Sequence, residues 1–424
     1  MRVNNLVLSL VSASFVWGGA SSVEARSLAK QVNSFFGPGG LALDVRSADP
    51  TVPSHTAPFS SSTLATLGLV IQQFVPQAAD FPAISMAPGL IFRYDPQVQL
   101  FERAATSLGP VFVERAQTLG RGQLEMGFAY LFVDFDSLDG HDLDHIAFSA
   151  HHRPDPLAGN DTASVRFESF TLQSHELSFF ATYGLTERWD VNFLLPLVST
   201  YWSMRSRVHL NNESGPRYFF DSGLQTIERT FSAHDNKIGV GDLLLRTKYH
   251  FLNSQLFDLA AGFALRLPTG ERENFQGVGN TTLTPFLALS EAYGRFHTHM
   301  SSGIEINFDN ADRSRVRYAG GVTFEVIEQL ALLVDVIGSS NLTTTRLSAT
   351  VPTFDDNPPQ TSSPLPSGFT HVTTTLRTDV IDLAIGIEGN LFRSVAGFFT
   401  VFVPLNSDGL RSDLIPAAGL EVNF

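Results

Sequence analysis

From Gly122 to the end of the chain, apolar and polar residues alternate. In QLEMGFAYLFV, Leu124, Met126, Phe128, Tyr130 and Phe132 share one side of an extended chain, opposite Glu125, Gly127 and Ala129. In RWDVNFLLPLV, Trp189, Val191, Phe193, Leu195 and Leu197 oppose Asp190 and Asn192; in FDLAAGFALRLP, Leu259, Ala261, Phe263, Leu265 and Leu267 oppose Asp258 and Arg266. A repeat of two is the repeat of a β-strand. Short turn signals fall at Thr186–Arg188, Asn253–Gln255, Gly294, Glu328–Gln329 and Gly389–Arg393. Longer polar stretches run over Asp136–Thr162, Asn211–Asn236, Thr269–Asn280, Asn310–Ser314, Ala349–His371 and Asn406–Arg411. Five short and six long connections join twelve strands.

An even number of strands with short turns at one end and long loops at the other predicts an all-β, transmembrane, antiparallel up-and-down barrel of the outer-membrane type. A soluble β-sandwich is the competing architecture. Aromatic residues beside the short turns favour the barrel: Tyr183 and Trp189, Tyr249 and Phe251, Tyr293 and Phe296, then Phe324 and Phe392. Rings gathered at one level form the interfacial girdle of a membrane barrel.

Residues 26–121 lack this alternation. They hold several prolines and an amphipathic run, STLATLGLVIQQFV, that a serine-rich start could cap as a short helix. Two placements are open, a plug in the lumen or a periplasmic segment. Before it, Arg2, an apolar run over Leu6–Val16 and the small residues up to VEA read as a secretory signal peptide over residues 1–25. That run is too short for a spanning helix. The chain has no cysteine, so disulfides, lipoprotein acylation and thiolate metal sites are excluded. A net charge of −14 with no basic stripe argues against nucleic acid as a partner.

The polar face of each strand gives the candidate lumen-lining set: Glu125, Arg166, Glu168, Glu176, Asp190, Asp242, Arg246, Lys248, Asp258, Arg266, His297, His299, Glu305, Arg317, Glu325, Asp335, Arg377, Asp379 and Glu388. Opposite charges inside a narrow barrel pair across strands and stiffen the wall; some can also select solutes, as charged rings do in channels. A lipid hydrolase must be weighed too, because His299, Ser301 and Asn307 could supply a base, a nucleophile and an orienting group. They point into the lumen near the short-turn end, out of reach of outer-leaflet lipid, so no enzyme and no catalytic residue are expected. DFDSLDGHDLDH carries Asp134, Asp136, Asp139, Asp142 and Asp144, but departs from the EF-hand spacing at Leu138. It reads as a solvated acidic loop, and no metal or cofactor is expected.

Over YDPQVQLFERAATSLGPVFVERAQTLGRGQLEMGFAYLF, ATYGLTERWDVNFLLPLV, VGDLLLRTKYHFL and ALRLPTGE, the chain resembles the outer-membrane channel family linked to the meta-cleavage pathway of phenol degradation. The resemblance runs from Tyr94 to the C-terminus. It implies a bacterial outer-membrane barrel that passes aromatic or other hydrophobic small molecules, with no substrate contacts to carry over. Twelve strands enclose less space than the 16–18 of general porins, so a selective passive channel is expected. The alternative is a non-transporting barrel whose outer loops bind a ligand or surface. The expected partners are outer-membrane lipid, a small hydrophobic solute and the barrel-assembly machinery, for which Gly419, Val422 and the terminal Phe424 resemble the C-terminal signal.

Overall fold

A computed structural model describes residues 27–33, 41–47, 55–60, 77–86, 92–95, 100–103, 111–145, 147–152, 162–211, 218–254, 256–353, 368–376, 378–392 and 394–424. The leader at 1–25, the run STLATLGLVIQQFV and Arg377 lie outside these.

Twelve antiparallel strands form the wall. They are β1 (Leu124–Phe135), β2 (Thr162–Thr186), β3 (Trp189–Asn211) and β4, which runs over Glu228–Val240 and Leu243–Asn253 with Gly241 and Asp242 between. Then come β5 (Asp258–Leu267), β6 (Thr282–Tyr293), β7 (Phe296–Asn307), β8 (Arg315–Ile327), β9 (Leu330–Asn341), β10 (Asp379–Phe392), β11 (Val395–Pro404) and β12 (Ile415–Asn423). Each pairs with the next, and β12 pairs with β1 from Ala417↔Leu131 to Asn423↔Glu125. The sheet therefore closes with no free edge, which is the way a sheet satisfies its backbone in lipid. Phe424 finishes the seam: its N–H donates to Leu124 O at 2.8 Å, and its carbonyl accepts from Leu124 N at 3.1 Å.

Side chains sort by face as the alternation predicts. Met126, Phe128, Phe179, Phe193, Leu245, Phe263, Leu287, Met300, Val334, Ile385 and Phe399 stand exposed on the outer face, where lipid replaces water. Tyr183, Trp189, Tyr249, Phe251, Tyr293, Phe296 and Phe392 are exposed around the short-turn rim. The inner face carries charged residues together with buried apolar ones such as Leu131, Val133, Phe180, Leu194, Phe398 and Phe402.

The strands β2 and β3 have 25 and 23 residues, more than twice the ~9–11 needed to cross a bilayer. Their far halves, with the first run of β4, project past the long-connection rim. Residues preceding the wall join them: Leu41–Ser47 pairs with His55–Ser60, which pairs with Ala147–His152, which pairs with β2. In this extension of the same sheet Val165, Phe167, Trp202, Met204, Val208 and Leu210 are buried, in one hydrophobic cluster with wall residues such as Leu131, Val133 and Phe402. The polar stretches at 211–236 and 349–371 are correspondingly shorter than their composition suggests, because strand continues into both; the second holds a hairpin of Thr345–Thr353 and Gly368–Leu376.

A register slip on β2 changes which residues face inward. Arg205 pairs with Ser169 but Ser206 pairs with Phe167, leaving Glu168 as the extra residue of a bulge. On one side of it Leu172, Ser174 and Ser178 are buried, and on the other Val165 and Phe167. One residue of slip moves a whole strand to the opposite face.

The first described helix and Phe424 do not lie together. Helix Leu28–Asn33 sits at the long-connection end, with Ser27 Oγ donating to Glu273 at 2.7 Å and Gln31 to Asp235 at 2.5 Å. Phe424 lies at the short-turn end. Both ends of the twelve-strand wall lie at the short-turn rim, as an even strand number requires, whereas this helix lies at the opposite end.

Candidate functional site

Two pieces of the N-terminal segment, residues 77–86 and 111–119, lie within the barrel and are called the strap here. Neither pairs with the wall as a strand. Their backbone and charged groups are met by wall side chains instead, as burial demands.

Nearest the long-connection end, Gln77 Oε1 accepts from Leu410 N at 2.7 Å. Three residues on, the Asp80 carboxylate takes three guanidiniums: Arg315 Nη1 at 2.6 Å, Arg317 Nη2 at 2.7 Å and Arg266 Nη2 at 3.1 Å. Arg315 and Arg317 also donate their Nε atoms to Glu305, at 2.8 and 2.6 Å. Burial alone would raise the Asp80 carboxyl, but the three arginines hold it well below the usual carboxylate range.

Midway down, Glu114 faces Arg246 at 3.1 Å and Lys248 at 3.6 Å. The same carboxylate accepts from Met86 N at 3.0 Å, tying the two strap pieces together. Arg246 donates further to Ile84 O at 2.5 Å and to Asn192 Oδ1 at 2.9 Å, and Thr182 Oγ donates to Met86 O at 2.6 Å. Lys248 Nζ caps the Arg115 carbonyl at 2.9 Å.

At the short-turn end, Ala116 N donates to Ser290 Oγ at 2.9 Å, Gln117 to Asp258 Oδ2 at 2.8 Å, and Leu119 N to Asp190 Oδ2 at 2.9 Å. Arg115 is buried; burial lowers its guanidinium from its ordinary value, and the nearby carboxyl groups of Glu125, Glu388, Glu421 and Asp190 oppose that. The strap leaves the lumen through Gly120 and Gly122, both at positive φ, and a Cβ on Gly184 of β2 would fall 1.8 Å from Gly120 O. Only glycine allows that crossing.

Most of the sequence-predicted lumen residues face this space. Glu125, Asp190, Asp242, Arg246, Lys248, His297, His299, Glu305, Asp335 and Glu388 are buried on the inner face, and Asp258, Arg266, Arg317 and Glu325 are half-buried there. Asp379 is corrected: on β10 it shares the outward face of Ile385 and Ile387, opposite the buried Asp382, Ala384 and Glu388. Glu176 accepts from Ser178 Oγ at 2.5 Å, and His297 faces Glu325 at 3.7 Å. Arg166 is corrected: the β2 bulge turns it outward, and it is exposed. Glu168, the bulged residue, pairs with the largely exposed Arg207 at 2.6 Å, beyond the membrane-spanning part of the wall. His299 meets Ser290 Oγ at 3.1 Å rather than Ser301. In the acidic loop, Asp134 accepts from Gln173, Asp136 from Asp413 N, Asp139 from Gly409 N, Asp142 from Asp144 N and Asp144 from Phe170 N. Its carboxylates fasten the loop to itself and to its neighbours. Among the described residues no group of three or more His, Asp or Glu could hold a metal.

The two most distinctive sequence stretches meet one another. Asp242 accepts from Gly270 N at 3.1 Å and Val278 N at 2.8 Å, while Thr269 Oγ donates to Gly241 O at 2.7 Å and accepts from Leu243 N at 2.9 Å. The GD of one stretch thus locks the TG of the other.

Two adjoining cavities remain beside the strap. One of about 180 Å³ has Phe81, Phe135, Ile337 and Leu410 on its apolar side and Arg313, Arg315, Arg317 and Arg411 on its cationic side. The second, about 160 Å³, shares Phe81, Glu305 and Arg317 with it and continues past Phe112, Leu244 and Phe286. Asp80, Glu114, Arg115, Arg313, Arg315 and Arg411 were not among the candidates, although Glu114 and Arg115 lie within the motif VFVERAQTLG.

The family model described as "Putative MetA-pathway of phenol degradation" matches residues 152–346, which include VGDLLLRTKYHFL and ALRLPTGE. No curated protein matches the chain. Among solved structures, it is similar to an outer membrane channel from Pseudomonas putida F1, with 14% identity over 73% of this chain and 98% of that one, TM-score 0.43. It is also similar to a FadL homologue of Pseudomonas aeruginosa, with 8% identity over 80% and 96% of the chains, TM-score 0.32. The CymD monoaromatic hydrocarbon channel gives 8% identity over 72% and 89%, TM-score 0.28.

Proposed function

We propose, for a chain whose residues 152–346 match that family, that it is an outer-membrane channel for passive, selective passage of small molecules with a hydrophobic or aromatic body. The reading includes export through a cleaved leader at 1–25 into the outer membrane of a Gram-negative-type bacterium. One observation carries it: the lumen is filled by a strap joined to the wall through ion pairs and single hydrogen bonds, beside two adjoining cavities lined partly by Phe81, Phe112, Phe135, Phe286 and Ile337. A wall knit by strand ladders is permanent, whereas a strap held side chain by side chain can shift without unfolding the wall. An open aqueous pore would leave no reason to line its interior with phenyl rings.

On this reading the strap is the gate, and its removal opens the lumen. Deleting residues 26–106 takes away Asp80 and the first strap piece, so conductance in planar bilayers should rise severalfold. Unchanged conductance of a folded barrel would sink the gate. The extension of the sheet beyond the rim is where a loop-binding function would reside. Ligand binding there by a barrel that passes no solute would favour that alternative.

A further inference from the structure

We propose that Arg266, Arg315 and Arg317 form a carboxylate-binding site in the lumen wall, that Asp80 of the strap is its resident occupant, and that the solutes passed are small acids with an apolar body. This rests on the channel reading and narrows its solute class.

The geometry is that of a receptor for a carboxylate. Glu305 grips the Nε edges of Arg315 and Arg317, which fixes both guanidinium planes and leaves their Nη donors aimed at one point. There the Asp80 carboxylate is taken at both oxygens: Oδ2 by Arg315 Nη1, and Oδ1 by Arg317 Nη2 and Arg266 Nη2. Two-oxygen capture by planar donors is how arginine recognises carboxylates. All four wall residues belong to rigid strands, while the occupant belongs to the strap. A staple between fixed elements needs no such asymmetry; a site with an exchangeable occupant does.

The charge balance points the same way. Around the 180 Å³ cavity, Arg313, Arg315, Arg317 and Arg411 face Asp80, Glu305 and Asp382. Arg411 is matched by Asp382 at 2.6 Å, whereas Arg313 donates to the neutral Asn280 at 3.3 Å. Removing Asp80 leaves four cations against two carboxylates, with Arg266 alongside. An incoming carboxylate would restore the balance that the strap now provides. The cavity touches Asp80 directly, and at ~30 Å³ per water it has room for roughly six waters or one ring-bearing acid. Its apolar side, Phe81, Phe135, Ile337, Val380 and Leu410, suits the body of such a solute.

The test compares benzoate with benzyl alcohol, which share a ring and differ in charge. Asp80→Asn keeps the size of the occupant and removes its charge. Calorimetry on full-length protein in detergent should give benzoate affinity at least tenfold higher in Asp80→Asn than in the unaltered chain, with benzyl alcohol unchanged. Adding Arg317→Gln should abolish the gain. If Asp80→Asn fails to fold, judged by heat-modifiable gel mobility, hydrogen exchange of residues 77–86 in the unaltered chain decides: saturating benzoate should speed it and benzyl alcohol should not. Equal benzoate affinity with and without the Asp80 charge, an equal gain for benzyl alcohol, or exchange insensitive to benzoate would each make Asp80 a staple and overturn the proposal. A barrel that binds benzoate in this way but passes no solute would instead remove the channel reading and leave the site standing.

Discussion

Replacing Glu114 by Gln removes one negative charge from between two cations that the wall buries. The Lys248 side chain is 0% exposed and that of Arg246 is 5% exposed. Breaking a buried ion pair from one side costs about 3–5 kcal/mol, because the remaining charge is left without compensation. Gln keeps an acceptor for Met86 N–H and for Arg246, so the lower figure of about 3 kcal/mol applies. The penalty falls on the docked strap, since Arg246 and Lys248 meet water once the strap leaves. At 1.4 kcal/mol per tenfold, the undocked fraction should rise about a hundredfold. Single-channel recording reads this as open probability, and hydrogen exchange reads it as faster exchange at residues 77–86 and 111–119 together, because Glu114 also holds Met86 N–H. A folded Glu114→Gln barrel with unchanged openings and unchanged exchange would refute the idea that ion pairs hold the strap.

Three further outcomes follow from particular contacts. Trp202→Ala, which empties the centre of the extension beyond the rim, should cost about 3–5 kcal/mol and raise protease sensitivity there more than it changes the heat-modifiable mobility of the wall. Deleting Phe424 removes both hydrogen bonds to Leu124 and, as we propose, the end by which assembly machinery recognises the chain; membrane insertion should fall more than the melting temperature of barrel already inserted, and equal losses would count against that division. Because the docked Asp80 carboxyl lies below its ordinary value of 3.8, its contribution is complete above about pH 4 and is lost only as pH falls through the lowered value. The difference in conductance between the unaltered chain and Asp80→Asn should therefore be constant from pH 5 to 8 and vanish only in strong acid.

The wall was legible in the sequence because lipid on one side excludes charge and leaves the charged residues to the inner parity of each strand, so Glu125, Asp190 and Glu305 could be assigned to the inner face by parity alone. Parity failed where register changed. Nothing near Arg166 announces a bulge, since the slip is set by how β2 and β3 match across their full length, and Arg166 consequently turns outward. The strap was not legible for a different reason. Asp80 and Glu114 lie in irregular chain, and their partners are wall residues over a hundred positions later, matched by three-dimensional placement rather than by any local period. The glycines of TLGRG carried one local hint: Gly120 and Gly122 mark a backbone that must turn sharply before the first wall strand. The acidic loop shows the converse, since closely spaced carboxylates that suggest a cation are each engaged by an N–H donor, only that of Asp144 on Asp142 being local.

Uptake into proteoliposomes tests the central claim most directly. Purified full-length protein should admit a small solute with an aromatic body faster than empty liposomes do, and Glu114→Gln should admit it faster still. Protein that is folded in the bilayer yet gives no uptake above empty liposomes, with or without Glu114→Gln, would contradict it.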